Sequence, residues 1–300
     1  MWFALSLITI FFWGCSDLFS KKGTDPADKY SHWRIVIMVG AAMGVHAFCY
    51  ILFTGVAYSP LSMIRYFPVA FLYILAMVLG YAGLRYIELS VSSPICNSSG
   101  AVAAGLCFLL LGQRMSGEQL AAVLLICGGI VMLSFLQKRR EKLWREQQGI
   151  VVPRKYMLGL IAILFPILYC FIDGFGTFME AYYLENLMDE AEALLSFEFT
   201  FLLIAISGYV YLTRIRKQKF PLKSEKTFSY AAVCETAGQF AYIYALADNA
   251  IVAAPMISSY CIFSVLLSRV FLKEKLSRYQ YAAILTVVIG IVILGVFGDI

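Results

Sequence analysis

The sequence predicts an all-α integral membrane protein of ten transmembrane helices, arranged as two inverted five-helix repeats. Three observations carry that expectation. Of 300 residues, 61% are hydrophobic and only 14% charged, against about 25% charged in soluble domains. Apolar runs of the length a bilayer requires, about 20 residues, follow one another almost without remainder. Finally, part of the first half returns in the second at an offset of 161 residues. A chain so composed excludes a membrane-anchored soluble enzyme, a nucleic-acid binder and a secreted disulfide scaffold. The eight cysteines agree: they stand singly in apolar stretches, as at Cys49, Cys107, Cys127 and Cys261, and read as small buried hydrophobes.

The first run, 2–20, opens M-W-F-A-L-S-L-I-T-I. With no basic n-region and no A-x-A site it is a span rather than a removable signal. The second, 33–54, holds Gly40 and Gly44 in G-A-A-M-G, a close-packing spacing, and a lone His46 expected to serve packing. The third, fourth and fifth are 61–82, 88–112 and 118–136. After them comes Q-K-R-R-E-K-L-W-R-E-Q-Q-G-I-V-V-P-R-K, which divides the chain into a first repeat (1–137), a basic linker (138–155) and a second repeat (156–300). The second repeat supplies spans at 156–178, 191–212, 227–247, 250–272 and 278–297. The acidic stretch M-E-A-Y-Y-L-E-N-L-M-D-E-A-E between the sixth and seventh is expected to be a solvated loop.

Cations fall after odd-numbered spans: Lys21, Lys22, Lys29 and Arg34, then Arg85, the linker, Arg214 to Lys226, and Arg269 to Arg278; Arg65 and Arg114 fall on the other side. Because Lys and Arg resist translocation, this bias puts the linker in the cytoplasm of a multi-pass plasma-membrane protein and both termini outside. The repeat aligns Pro94 with Pro255, Ser98 with Ser259, Ser116 with Ser277, Gln119 with Gln280 and Gly129 with Gly290. Each half has an odd number of spans, so the second copy enters the membrane from the opposite face. Inverted repeats are the physical basis of alternating access around a midplane site.

The segments L-L-G-Q-R-M-S-G-E-Q-L-A-A-V-L-L-I-C-G-G-I-V-M-L and F-L-K-E-K-L-S-R-Y-Q-Y-A-A-I-L-T-V-V-I-G-I-V-I-L, with F-F-W-G-C-S-D and A-L-A-D-N-A-I-V-A-A-P, resemble EamA-type transporters of the drug/metabolite transporter superfamily. The resemblance covers essentially the whole chain. It implies helices one to four and six to nine around a central cavity, with five and ten at the periphery, and a small-metabolite cargo. Relatives are described with cytoplasmic termini; the loop charges here argue for external ones.

An ionisable side chain at the bilayer centre costs about 2.5–3.5 kcal/mol on insertion scales, which makes each a functional candidate. Asp17 shares a helical face with Trp13, and Asp173 with Tyr169 and Thr177; Glu235, Gln239 and Tyr242 form a third stripe. These residues are expected to bind substrate or a coupling proton, with Asp17 in the cytoplasmic half and Asp173 in the external half. The alternative for both is interhelical hydrogen bonding. Glu198 is expected to pair with Arg65. Pro94 and Pro255 are expected to kink the fourth and ninth spans, with Asn97, Ser98, Ser258 and Ser259 beside them as donors and acceptors.

Carboxylates among aromatic faces suit an organic cation. The expected function is therefore secondary active transport of a small organic metabolite, an amine, amino acid or related solute, coupled to protons. The alternatives are a facilitative carrier or exchanger for a neutral or anionic solute such as a sugar, or a channel. Two histidines, with no H-E-x-x-H and no G-x-S-x-G, give no basis for an enzyme, a metal or a cofactor. The expected partners are the solute, the lipid bilayer and protons, with no nucleic acid, in a monomer or weak homodimer.

Overall fold

A computed structural model describes residues 1–23, 30–83, 96–147, 159–220, 226–271 and 276–297. These fold into ten α-helices: α1 (Trp2–Gly23), α2 (Ser31–Thr54), α3 (Pro60–Gly83), α4 (Ser99–Leu110), α5 (Gly117–Gln147), α6 (Gly159–Asn186), α7 (Glu190–Val210), α8 (Lys226–Ile257), α9 (Tyr260–Phe271) and α10 (Arg278–Phe297). A π-helical turn, Tyr211–Ile215, extends α7. Seven helices are long and apolar enough to cross a membrane, and three shorter ones are apolar too. Large apolar side chains such as Leu52, Phe53, Leu109 and Phe271 point outward. Where lipid rather than water surrounds the chain, that is the low-energy arrangement.

The helices follow the expected spans with local differences. The sixth span does not stop near residue 178; α6 runs to Asn186, and its turn into α7 is closed by Asp189, whose carboxylate accepts from Glu192 N at 2.7 Å. The expected solvated loop is thus mostly helix. The eighth and ninth spans meet where expected, at a kink at Asn249 (φ −158°, ψ 79°) that separates two helical segments of α8. The ninth span then breaks at Ser258–Ser259, one turn after Pro255, and resumes at Tyr260. In the fourth span the turn falls at Asn97–Ser98 and the helix resumes at Ser99. Pro94 lies outside the described residues.

The repeat seen in sequence is thereby a repeat in three dimensions. α4 and α9 have bounds that differ by the same 161-residue offset, as do their broken starts. Packing obeys one two-fold relation: α1 lies on α8 and α9, α6 on α3 and α4, α2 on α7, and α5 on α10. The α5–α10 contact shows why Gly129 and Gly290 recur. A Cβ on Gly290 would lie 2.8 Å from Ala122 O, and one on Gly129 would lie 3.1 Å from Ala283 O, so only glycine lets these backbones approach. Ser116 and Ser277 recur because both open a capping box. Ser116 N donates to Gln119 Oε1 at 2.9 Å while Gln119 N donates to Ser116 Oγ at 3.2 Å. Ser277 and Gln280 repeat the exchange at 2.9 and 3.3 Å.

Candidate functional site

Helices α1–α4 and α6–α9 enclose a cavity of about 400 Å³, while α5 and α10 stay outside it. It begins at Ser20 and Ile35, near the C-terminus of α1 and the N-terminus of α2, and ends near mid-bundle at Tyr73, Thr177, Phe197 and Tyr242. Nothing from Trp2 to Phe12 or from Gly44 to Thr54 lines it. One end of the bundle therefore holds a cavity, whereas at the other Ser6, Thr9, Tyr66, Leu194 and Leu195 are fully buried and packed.

Three carboxylates line this space, each held by a different piece of the fold. Asp17 comes from the last turns of α1, and Glu235 from α8, where it hydrogen-bonds Ser16. Tyr260, the first residue of α9, faces both acids. Asp173 lies at the middle of α6 and hydrogen-bonds Ser99, the first residue of α4. A Cβ on Gly174 would lie 2.7 Å from Ser99 O, so α6 can bring its acid against the break only because a glycine follows. Each broken helix thus meets the acid of the opposite repeat: α9 meets Asp17, and α4 meets Asp173. The expectation that the two acids occupy opposite mouths is corrected here. Because α6 is longer than expected, Asp173 sits at mid-bundle and shares one cavity with Asp17.

Aromatic rings form the walls. Trp13 packs on Tyr242 with centroids 5.0 Å apart and edge-on to Tyr260 at 5.6 Å. Gly238 makes room for it, since a Cβ there would lie 2.7 Å from Trp13 Nε1. Trp13 Nε1 and Gln239 Nε2 are buried donors with no hydrogen-bond partner among the described residues. Tyr169, Asn97 and Ser258 complete the expected lining, and Ser258 Oγ donates to Ala254 O at 3.0 Å. Ser98 and Ser259 sit in the turns but do not line the cavity, and Pro255 is buried within the last turns of α8. No Lys, Arg or His is among the lining residues.

The packed end contains an acid from a stretch whose polarity predicts a solvated loop. Glu180 is fully buried on α6 and accepts from Tyr66 at 2.9 Å and from Tyr73 at 2.5 Å. Tyr73 also shares a hydrogen bond with Tyr242 at 2.9 Å, so the cavity's inner wall is the outer face of this cluster. A signal was present: the stripe Tyr169, Asp173, Thr177 continues by one more helical step to Glu180. Glu198 pairs not with Arg65, which is exposed, but with His46 Nδ1 at 2.8 Å. Tyr50 and Tyr244 are bonded at 3.1 Å, and Ser62 Oγ donates to Glu192. Each of these contacts joins a helix of the first repeat to one of the second.

Among the described residues, no group of His, Cys, Asp and Glu could hold a metal ion. The sequence model of the EamA-like transporter family matches residues 1–135 and, a second time, residues 160–296. A protein of known crystal structure superposes with a TM-score of 0.72 over 98% of this chain and 96% of its own, at 14% identity, a likeness of fold alone. No curated protein matches the chain.

Proposed function

The chain belongs to the EamA-like transporter family, and on that footing we propose that it is a proton-coupled secondary carrier for a small organic cation, such as an amine or amino acid, in the plasma membrane. It is a multi-pass membrane transporter, not an enzyme. The observation that carries the finer reading is the charge of the cavity: Asp17, Asp173 and Glu235 line it together, and none of the lining residues is basic. Taking a carboxylate out of water is costly unless a cation or donors meet it. A solute ammonium in this space faces three carboxylates, and the faces of Trp13, Tyr169 and Tyr242 add cation–π attraction. The unpartnered Trp13 Nε1 and Gln239 Nε2 suit an acceptor group on the same solute.

Alternating access follows from the two-fold arrangement. The mouth lies at the end of α1 that carries Lys21 and Lys22, so on the loop-charge reading this conformation faces the cytoplasm, with both termini outside. The helices broken at Asn97–Ser98 and Ser258–Ser259 are the parts that would adjust around the solute.

The test is a thermal-shift screen of the purified protein with amines, amino acids, sugars and organic acids, followed by uptake of the hits into proteoliposomes. A ligand that binds only the folded state raises its Tm. The reading expects stabilisation by cationic solutes and saturable, pH-gradient-driven uptake. Stabilisation by sugars or organic acids alone would overturn it. A C-terminal reporter active only in the cytoplasm should stay dark if the termini are outside.

A further inference from the structure

Glu180 is the one fully buried carboxylate of the α3–α6 contact, and the carrier reading above gives it no task. Its two oxygens each take a phenol hydrogen from α3, Oε1 from Tyr66 and Oε2 from Tyr73. Tyr73 is bonded in turn to Tyr242 of α8 and, at 3.3 Å, to Thr177 of α6. The groups that act on it are Tyr66, Tyr73 and Tyr242, with Asp173 two turns back on its own helix; none is basic. Beyond them, Tyr183 packs edge-on against Tyr66, α7 presents Phe197 to Tyr73, and Cys107 of α4 faces Glu185. The carboxylate is therefore held by phenols alone, and those phenols ride on helices of both repeats.

We propose that Glu180 is the proton-coupling site of the carrier: a proton entering from the packed end docks on its carboxylate, releases Tyr66 and Tyr73, and lets that end open. The assignment rests on the alternating-access reading and divides the labour within it. The cavity acids receive the solute, and Glu180 receives the proton.

The physical reason is the change in hydrogen-bonding capacity on protonation. As an anion Glu180 is a pure acceptor, and two phenols donating to it make charge-assisted bonds. A hydronium of the far solution that gives its proton to one oxygen leaves water behind and turns that oxygen into a donor. One phenol then faces a donor with its own donor, and the other retains only a neutral acceptor. The bonds joining α3 to α6 weaken together. Conversely, if the phenols withdrew from an unprotonated Glu180, the carboxylate would be left buried without donors, which its surroundings penalise. Opening without a proton is thus the costly path, and that asymmetry is what coupling requires.

Hydrogen–deuterium exchange on the full chain in nanodiscs, at pH 5.5 and 7.5 and corrected for intrinsic rates, tests the proposal with protons as the only ligand. In the wild type, acid should raise exchange at residues 61–73 and 177–186 and lower it around the mouth at 13–23 and 31–39. Glu180→Gln, a neutral mimic of the protonated acid, should show the acid pattern at both pH values. Tyr73→Phe keeps the carboxylate but drops a donor, so its transition should move to higher pH; it also covers the case in which the Gln variant does not fold. A wild-type pattern unchanged by pH overturns the assignment, as does a pH response that survives in Glu180→Gln. A response that follows sodium at fixed pH overturns it as well, since the site would then hold a metal cation. In the second outcome the two ends still alternate and the proton-coupled carrier stands; in the third the carrier stands with another coupling ion; the carrier itself fails separately, if no solute shows saturable uptake into proteoliposomes.

Discussion

The two ends of this bundle are built from the same repeated helices, yet one encloses a cavity and the other is stitched shut. At the packed end, bonds cross between repeats at every level: Ser62 to Glu192, His46 to Glu198, Tyr50 to Tyr244, and Tyr66 and Tyr73 to Glu180. At the mouth, the same helices present Asp17, Asp173 and Glu235 to a shared space. Acids occur at both ends, so composition does not separate them. What differs is what surrounds them. Glu180 and Glu198 are buried against their partners, whereas Asp17, Asp173 and Glu235 border a space that a solute can enter. A symmetric scaffold thus becomes polarised through which acids border an open space.

The largest expected effect comes from neutralising an acid at the mouth. Asp173→Asn or Glu235→Gln should weaken binding of the cationic solute by about 2–5 kcal/mol, the cost of leaving one member of a buried charge pair alone. That is roughly 30-fold to several thousand-fold in Kd, read by calorimetric titration. The same variants should leave Tm unchanged or raised, because an amide in a low-dielectric site carries no charge to desolvate. If Tm falls sharply while affinity holds, the mouth acids are structural and the contrast between the ends collapses.

At the packed end the effect should be on stability. His46→Ala strands Glu198, and the expected loss is about 2–3 kcal/mol, below that of a fully buried pair because His46 is one-third exposed. Tyr73→Phe removes the phenol that Glu180, Thr177 and Tyr242 share. It should cost about 1–2 kcal/mol and lower Tm. The smallest effect sharpens the comparison by touching neither end: Gln280→Ala breaks one capping box, for about 1 kcal/mol, and should leave both affinity and the balance between ends unchanged. Thermal unfolding in detergent with and without the solute reads all three.

Much of the fold was legible in the sequence because its signals are local. Ten apolar runs and the recurrence of Pro94, Ser116, Gln119 and Gly129 as Pro255, Ser277, Gln280 and Gly290 are facts about one chain read in order. The stripes Trp13–Asp17, Tyr169–Asp173–Thr177 and Glu235–Gln239–Tyr242 were legible for the same reason, and they converge on one cavity. Glu180 escaped because M-E-A-Y-Y-L-E-N is dense in polar residues and reads as the end of a span. Only the helix that continues through it, with Tyr66 and Tyr73 arriving from α3, turns that polarity inward. His46 and Glu198 each stand out as ionisable residues within apolar spans, but 152 residues apart nothing in the order of residues joins them.

By itself, then, the sequence determined the membrane setting, the number of spans, the inverted repeat and most of the polar stripes. Each follows from hydrophobicity and helical periodicity, which act over a few turns of one helix. Which acids share a cavity, which phenols satisfy Glu180 and which end is closed were decided only by tertiary structure. Those outcomes depend on contacts between helices far apart in the chain, where a shift of one turn exchanges a partner for an open space.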